Sequence, residues 1–140
     1  MFLDVIIETA IITALGASTF IIFTMPRSYS SDPRRLIGGY TVGISIGIIF
    51  HFISTWNNIQ ISITGLSSSL VIFGAITVGI AIFIMAITNT EHAPAAGIAL
   101  GLIINKWDYM TIIFIIIAII WLSGIRRLLQ PYLIDLTSPK

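Results

Sequence analysis

The sequence predicts an all-α membrane protein with about five transmembrane segments, the first and fourth of them broken or half-length. Three observations predict it. Hydrophobic residues make up 56% of the 140-residue chain and charged residues only 9%, too little polar surface for a soluble domain of this size. Mean hydropathy is +1.03. The apolar residues also fall into runs of membrane-spanning length, separated by short polar or proline-containing connections. Residues 1–140 therefore read as a single transmembrane domain. A net charge of +1, with seven Lys and Arg scattered or paired, gives no clustered basic surface for nucleic acid. The absence of cysteine excludes disulfide frameworks and thiolate metal sites. The stretch "MFLDVIIETA" has no basic n-region and no small-residue cleavage site, so no signal peptide is expected.

The first segment covers residues 1–25 and is stopped by Pro26. Its interior holds "ALGAS", Ala14 to Ser18, where small residues replace bulky ones. A break is expected there, with Gly16 and Ala17 unwinding the helix and Ser18 and Thr19 capping its resumption. The connection "PRSYSSDPRR" is the only strongly basic loop. The second segment, 36–56, is long enough at ~1.5 Å per residue to cross ~30 Å of hydrocarbon, and the third covers 66–87. The fourth, 94–105, would reach only ~18 Å as a helix, about half a bilayer. A fifth, 109–125, is nearly all Ile, Phe and Ala, and a short cytoplasmic tail, 126–140, follows it.

With five crossings, Arg27, Arg34, Arg35, Arg126, Arg127 and Lys140 fall on one side and only Lys106 on the other. The excess of positive charge in short loops marks the cytoplasmic side, so the N-terminus is expected outside and the C-terminus inside. A prokaryotic cell membrane is the expected location.

"TEHAPAAGIALGLIIN", Thr90 to Asn105, places Glu91, His92 and Pro94 where the short fourth helix begins. A helix starting inside the membrane leaves its first N–H groups unpaired and points the positive end of its dipole at whatever precedes it. Pro94 suits the first turn because its missing donor costs nothing there. Ala95, Ala96 and Gly97 would let a ligand approach the backbone, which is anion-site chemistry. Together with Gly16, Ala17, Ser18, Thr19 and His92 these residues form the expected substrate site. In it, two half-helix N-termini meet from opposite directions, the arrangement of transporters built from inverted repeats. Gly39, Gly43 and Gly47 on the second segment, and Gly97 with Gly101 on the fourth, repeat the small-residue spacing that brings helices together, within one protomer or between copies in a homo-oligomer. His51 reads as an interfacial hydrogen-bonding residue. No metal-ligand spacing and no nucleophile motif is present, so neither cofactor nor catalysis is expected.

"LGASTFIIFTMPRSYSSDPRRLIGGY" resembles the first signature of the HPP family of small membrane proteins, a Gly-Ala-Ser stretch followed by a proline loop, a Pro-Arg pair and Gly-Gly-His. "EHAPAAGIALGL" resembles the His-Pro-Pro segment that names the family. The resemblance carries over Pro33, Arg34, Gly38 and Gly39, which together with Tyr40 and Glu91 are the expected structural or gating positions, beside the site residues above. It also implies transport of nitrite or a related small anion, as members of cyanobacteria and plastids are implicated in nitrite transport. Departures are Ala93 where the family has proline after its histidine, Tyr40 for histidine, and Asp32 and Arg35 for glutamine and asparagine. The expected function is a small-anion, nitrite-like transporter or channel. The alternative is a non-transporting accessory or assembly subunit held by its glycine faces.

Overall fold

A computed structural model describes residues 2–56, 68–104 and 108–135. These form five α-helices and no strand: α1 Phe2–Thr24, α2 Pro33–Trp56, α3 Ser68–Ile87, α4 Ala93–Ile104 and α5 Tyr109–Leu129, with one 3-10 turn, Tyr29–Ser31, after α1. The connection 57–67, together with Asn105, Lys106 and Lys140, lies outside the described residues, as do the side chains of Asp4 and Glu8. Two helical stretches are long and apolar enough to cross a membrane, Pro33–Ser54 at mean hydropathy 1.8 and Tyr109–Leu129 at 2.3. Phe83, Phe114, Trp121 and Leu128 all stand more than half exposed on the outside of the bundle. Large apolar side chains facing outward this consistently are suited to lipid and not to water.

The ends of the helices follow from local chemistry. Pro26 has no N–H with which to continue α1. Asp32 opens α2 as its N-cap: its carbonyl accepts from the N–H groups of Arg35 and Leu36, both at 2.9 Å, and its Oδ1 accepts from the Arg34 N–H at 3.2 Å. Pro33 then takes the first helical position, where a proline is best tolerated. At the end of α3, Asn89 adopts φ 56°. Its N–H bonds the Ala86 carbonyl at 3.3 Å while that of Thr90 reaches back to Met85 at 2.9 Å, the paired closure that satisfies a helix's last carbonyls and turns the chain sharply. Asp108 caps α5 by accepting from the Thr111 N–H at 2.8 Å.

The first helix departs from expectation. α1 runs unbroken through "ALGAS". The Ser18 and Thr19 hydroxyls bond back to the carbonyls of Ala14 at 3.0 Å and Leu15 at 2.8 Å, so they are satisfied inside the helix and cap nothing. Gly16 and Ala17 are exposed, and a Cβ on Gly16 would meet nothing within 4 Å. The pair of opposed half-helix N-termini therefore does not form, because only α4 begins inside the bundle. α2 starts three residues earlier than expected, at Pro33, and α5 continues to Leu129. Arg35, Arg126 and Arg127 consequently belong to helices and not to connections.

α4 is the centre of the bundle, packed against α2 most extensively and then α1 and α3; seven of its twelve residues are buried. Glycines make the closest of these contacts. A Cβ on Gly43 would stand 2.4 Å from the Ala95 carbonyl oxygen, and one on Gly47 would stand 3.0 Å from the Leu102 side chain. Gly97 is looser, with the Ala14 Cβ at 3.7 Å. Because His92 lies against Gly39, six residues into α2, α4 starts roughly 9 Å inside the helix ends at ~1.5 Å per residue. At its far end the His51 Nδ1–H donates to the Leu102 carbonyl at 3.1 Å, satisfying one of the last carbonyls that a helix leaves unpaired.

Candidate functional site

Three polar side chains converge at the amino end of α4. His92 is 1% exposed, and Ser18 and Tyr40 are fully buried. Ser18 Oγ lies 2.8 Å from the Tyr40 hydroxyl and 2.8 Å from His92 Nε2. His92 Nδ1 lies 3.0 Å from the Ser30 carbonyl, and the Tyr40 and His92 rings are tilted against each other at 5.7 Å. Each residue is delivered by a different part of the chain. Ser18 comes from α1 and Tyr40 from α2, while the sharp closure at Asn89 folds residues 90–92 inward to place His92. Gly39 makes room for His92, since a Cβ there would stand 2.8 Å from the His92 Cβ, and Gly38 does the same for Thr90.

The hydrogens in this cluster can be counted. The Ser30 carbonyl only accepts, so Nδ1 carries a hydrogen. With neutral imidazole, Nε2 only accepts and Tyr40 donates to Ser18 Oγ, so the single Ser18 hydrogen serves either Nε2 or the Ala14 carbonyl. Four contacts thus share three hydrogens. The Ser18 and Tyr40 hydroxyls are the donors available to a ligand there, and Nε2 is an acceptor.

Above the cluster, residues of loop 25–32 and residues 88–92 are strapped together. Arg35, 4% exposed, pairs with Glu91 and bonds Asn89 Oδ1. Its guanidinium lies over the Tyr29 ring, whose hydroxyl donates to the same Asn89 oxygen at 2.6 Å. Glu91 also sits beside the positive end of the α4 dipole, where a carboxylate is favoured. On the other side of loop 25–32, Arg126 of α5 donates from Nη2 to the Pro26 carbonyl at 3.0 Å and Ser31 Oγ at 3.4 Å.

The residues singled out in the sequence are thus distributed unevenly. Ser18, Tyr40 and His92 meet, with Gly39 against them, and Glu91 closes over them through Arg35. Ala95 and Ala96 are buried and Pro94 and Gly97 half-buried in the first turns of α4. Pro33 is buried at the start of α2, and Arg34 is exposed beside it. Gly16 and Ala17 lie on the outer face of α1 and Thr19 bonds its own helix, so none of the three reaches the cluster. Sequence reasoning missed Ser30, Asn89, Arg35 and Arg126 as contributors. For Arg126 a signal exists: Ile115, Ile119, Ser123 and Arg126 are the buried residues of α5, and their 4-4-3 spacing is one helical face.

Neither characterised proteins nor solved structures gave a match. A model of the HPP transmembrane region matches residues 4–130, a span that includes α2 to α5, all but the first two residues of α1 and every residue of the cluster, and the chain belongs to the HPP family of membrane proteins.

Proposed function

We propose that this protein passes a small monovalent anion, of the nitrite class, across the membrane at the point where α4 begins. The observation that carries this reading is the Ser18–Tyr40–His92 cluster, wholly buried at the positive end of a half-length helix. Buried polar side chains in a membrane bundle are costly and mark substrate pathways. The dipole of α4 contributes ~0.3 to 2 kcal/mol toward an anion. Hydrogen bonds from the Ser18 and Tyr40 hydroxyls to a charged acceptor would add about 1.5–3 kcal/mol each. A cation at the same place would meet the positive dipole end. The path begins on the arginine-rich side, beneath the strap made by Arg35 and Glu91. The N-terminus is placed outside and that side in the cytoplasm, from the charge excess.

The assembly reading has its own supporting observation. Gly43, Gly47 and Gly97 face neighbouring helices of the same chain, whereas a Cβ on Gly16, Gly79 or Gly124 would meet nothing within 4 Å. These outward glycines would be the contacts between copies or with another membrane protein.

The test is nitrite entry into liposomes containing purified protein, comparing Ser18→Ala and His92→Ala with Gly16→Ala. Loss of the hydroxyl donor in Ser18→Ala, or of the imidazole that holds Ser18 in His92→Ala, is expected to slow entry about tenfold or more. Gly16→Ala, on the exposed face of α1, is expected to match wild type. Equal flux in all four proteins would remove α4 from the path.

A further inference from the structure

The most unusual charge in the molecule is not in the cluster. Arg126 is 9% exposed, and among the described residues no carboxylate lies within ion-pair distance of it; Asp32 acts on it only at longer range. Arg35, buried to a similar degree, has Glu91. The Arg126 Nη2 donates to neutral oxygens, the Pro26 carbonyl and Ser31 Oγ. Its Nε–H is buried without any partner, and so is the Ser28 hydroxyl. The two belong to one knot, because Ser31 Oγ receives from Arg126 and itself lies 2.8 Å from the Ser28 carbonyl and 2.9 Å from that of Pro26.

A buried guanidinium with no ion-pair partner among the described residues, tied through Ser31 to a loop whose Ser28 hydroxyl is also unpartnered, is a poor structural solution; the buried carboxylate of Asp135 is taken up by the Arg27 N–H at 3.1 Å. Each unpaired buried donor is costly, and the charged one most so. Both costs are removed together by one acceptor carrying negative charge. We propose that Arg126 and Ser28 bind a small inorganic anion, such as nitrite or chloride, beneath loop 25–32. Both donor atoms are closed off from solvent, which favours a small free ion over a lipid phosphate, whose attached glycerol and acyl chains need an open side. The site is separate from the α4 cluster but adjoins it through the loop: Ser30 accepts from His92 on one face and Ser31 from Arg126 on the other. It stands whether or not the anion crosses the membrane.

The test is thermal unfolding of the purified full chain in a neutral detergent, with sodium nitrite, chloride or phosphate exchanged for gluconate at constant ionic strength. Nitrite or chloride is expected to raise the midpoint saturably by a few degrees. Ser28→Ala, which alters only a loop hydroxyl, is expected to weaken the apparent affinity about tenfold, the effect of one hydrogen bond to an anion. Arg126→Gln is expected to abolish the shift. His92→Ala, measured against its own baseline, is expected to keep it. A shift lost in His92→Ala but kept in Ser28→Ala would place the anion at α4 and overturn the proposal. Stabilisation by added anionic lipid but not by nitrite or chloride would overturn it in favour of a headgroup site, and no saturable shift in wild type would overturn it outright.

Discussion

Substituting Gly43 by alanine adds one methyl group at the tightest of the glycine contacts among the described residues. The new Cβ would stand 2.4 Å from the Ala95 carbonyl oxygen and 3.3 Å from its carbon. Ordinary contact begins near 3.4 Å, so α2 and the first turn of α4 must separate by roughly 1 Å. Both obstructing atoms are backbone, and no rotamer change relieves the clash. Overpacking of this kind costs about 1–3 kcal/mol, and lipid supplies no hydrophobic drive to offset it. At about 2–4 °C per kcal/mol for a protein of this size class, the midpoint should fall by roughly 2–12 °C. Gly97→Ala places its Cβ 3.7 Å from Ala14 and Gly16→Ala places its Cβ in open space, so both should melt within a degree or two of wild type or above it. Because Ala95 lies in the turn that follows His92, Gly43→Ala should also slow anion entry. The assay is detergent thermal unfolding of the three variants side by side, followed by flux. If all three melt alike, α2 and α4 do not meet at Gly43.

Three further outcomes are expected. Cysteines introduced singly at Tyr109 and Gln130 should label from opposite sides of the membrane, Gln130 from the cytoplasm; labelling from the same side would refute the alternating arrangement of the helices. Glu91→Gln leaves the buried Arg35 without its counter-charge; Glu91 is itself 46% exposed, so solvent screens part of the loss, and the midpoint should fall modestly below that of Arg34→Gln, which changes an exposed arginine. Asp108 is held below the ordinary carboxylate range by the hydrogen bonds from Thr111, first from its backbone and then from its side chain. A depressed pKa contributes stability that is present above the unfolded value of ~3.9 and lost as pH falls through the folded one, so the difference in midpoint between wild type and Asp108→Ala should shrink below about pH 4.

Much of the architecture is legible in the sequence because the membrane imposes it. Run lengths and connections disclose five helices, and the twelve-residue stretch from Pro94 to Asn105 discloses a helix too short to cross alone. His92 and Ser18 are each conspicuous as polar residues beside small ones, yet their 2.8 Å approach across 74 residues comes from the closure at Asn89 and not from opposed half-helices. The continuity of α1 is hidden: glycine, alanine, serine and threonine compose both a broken membrane helix and an intact one, and the choice is made by hydroxyls bonding back four residues. The burial of Arg35 and Arg126 is hidden for a different reason. Counted as charges at helix ends they look like topology signals, and only the three-dimensional path of loop 25–32 and residues 88–92 covers them.

The central claim is that an anion, and no alkali cation, crosses at the start of α4. Its most direct measurement is paired tracer entry of labelled nitrite and rubidium into the same liposomes at pH 7.5, with protein-free liposomes as background. Nitrite entry above background is predicted, with rubidium at background and nitrite entry lowered in His92→Ala. Rubidium entry above background without nitrite entry would contradict the claim.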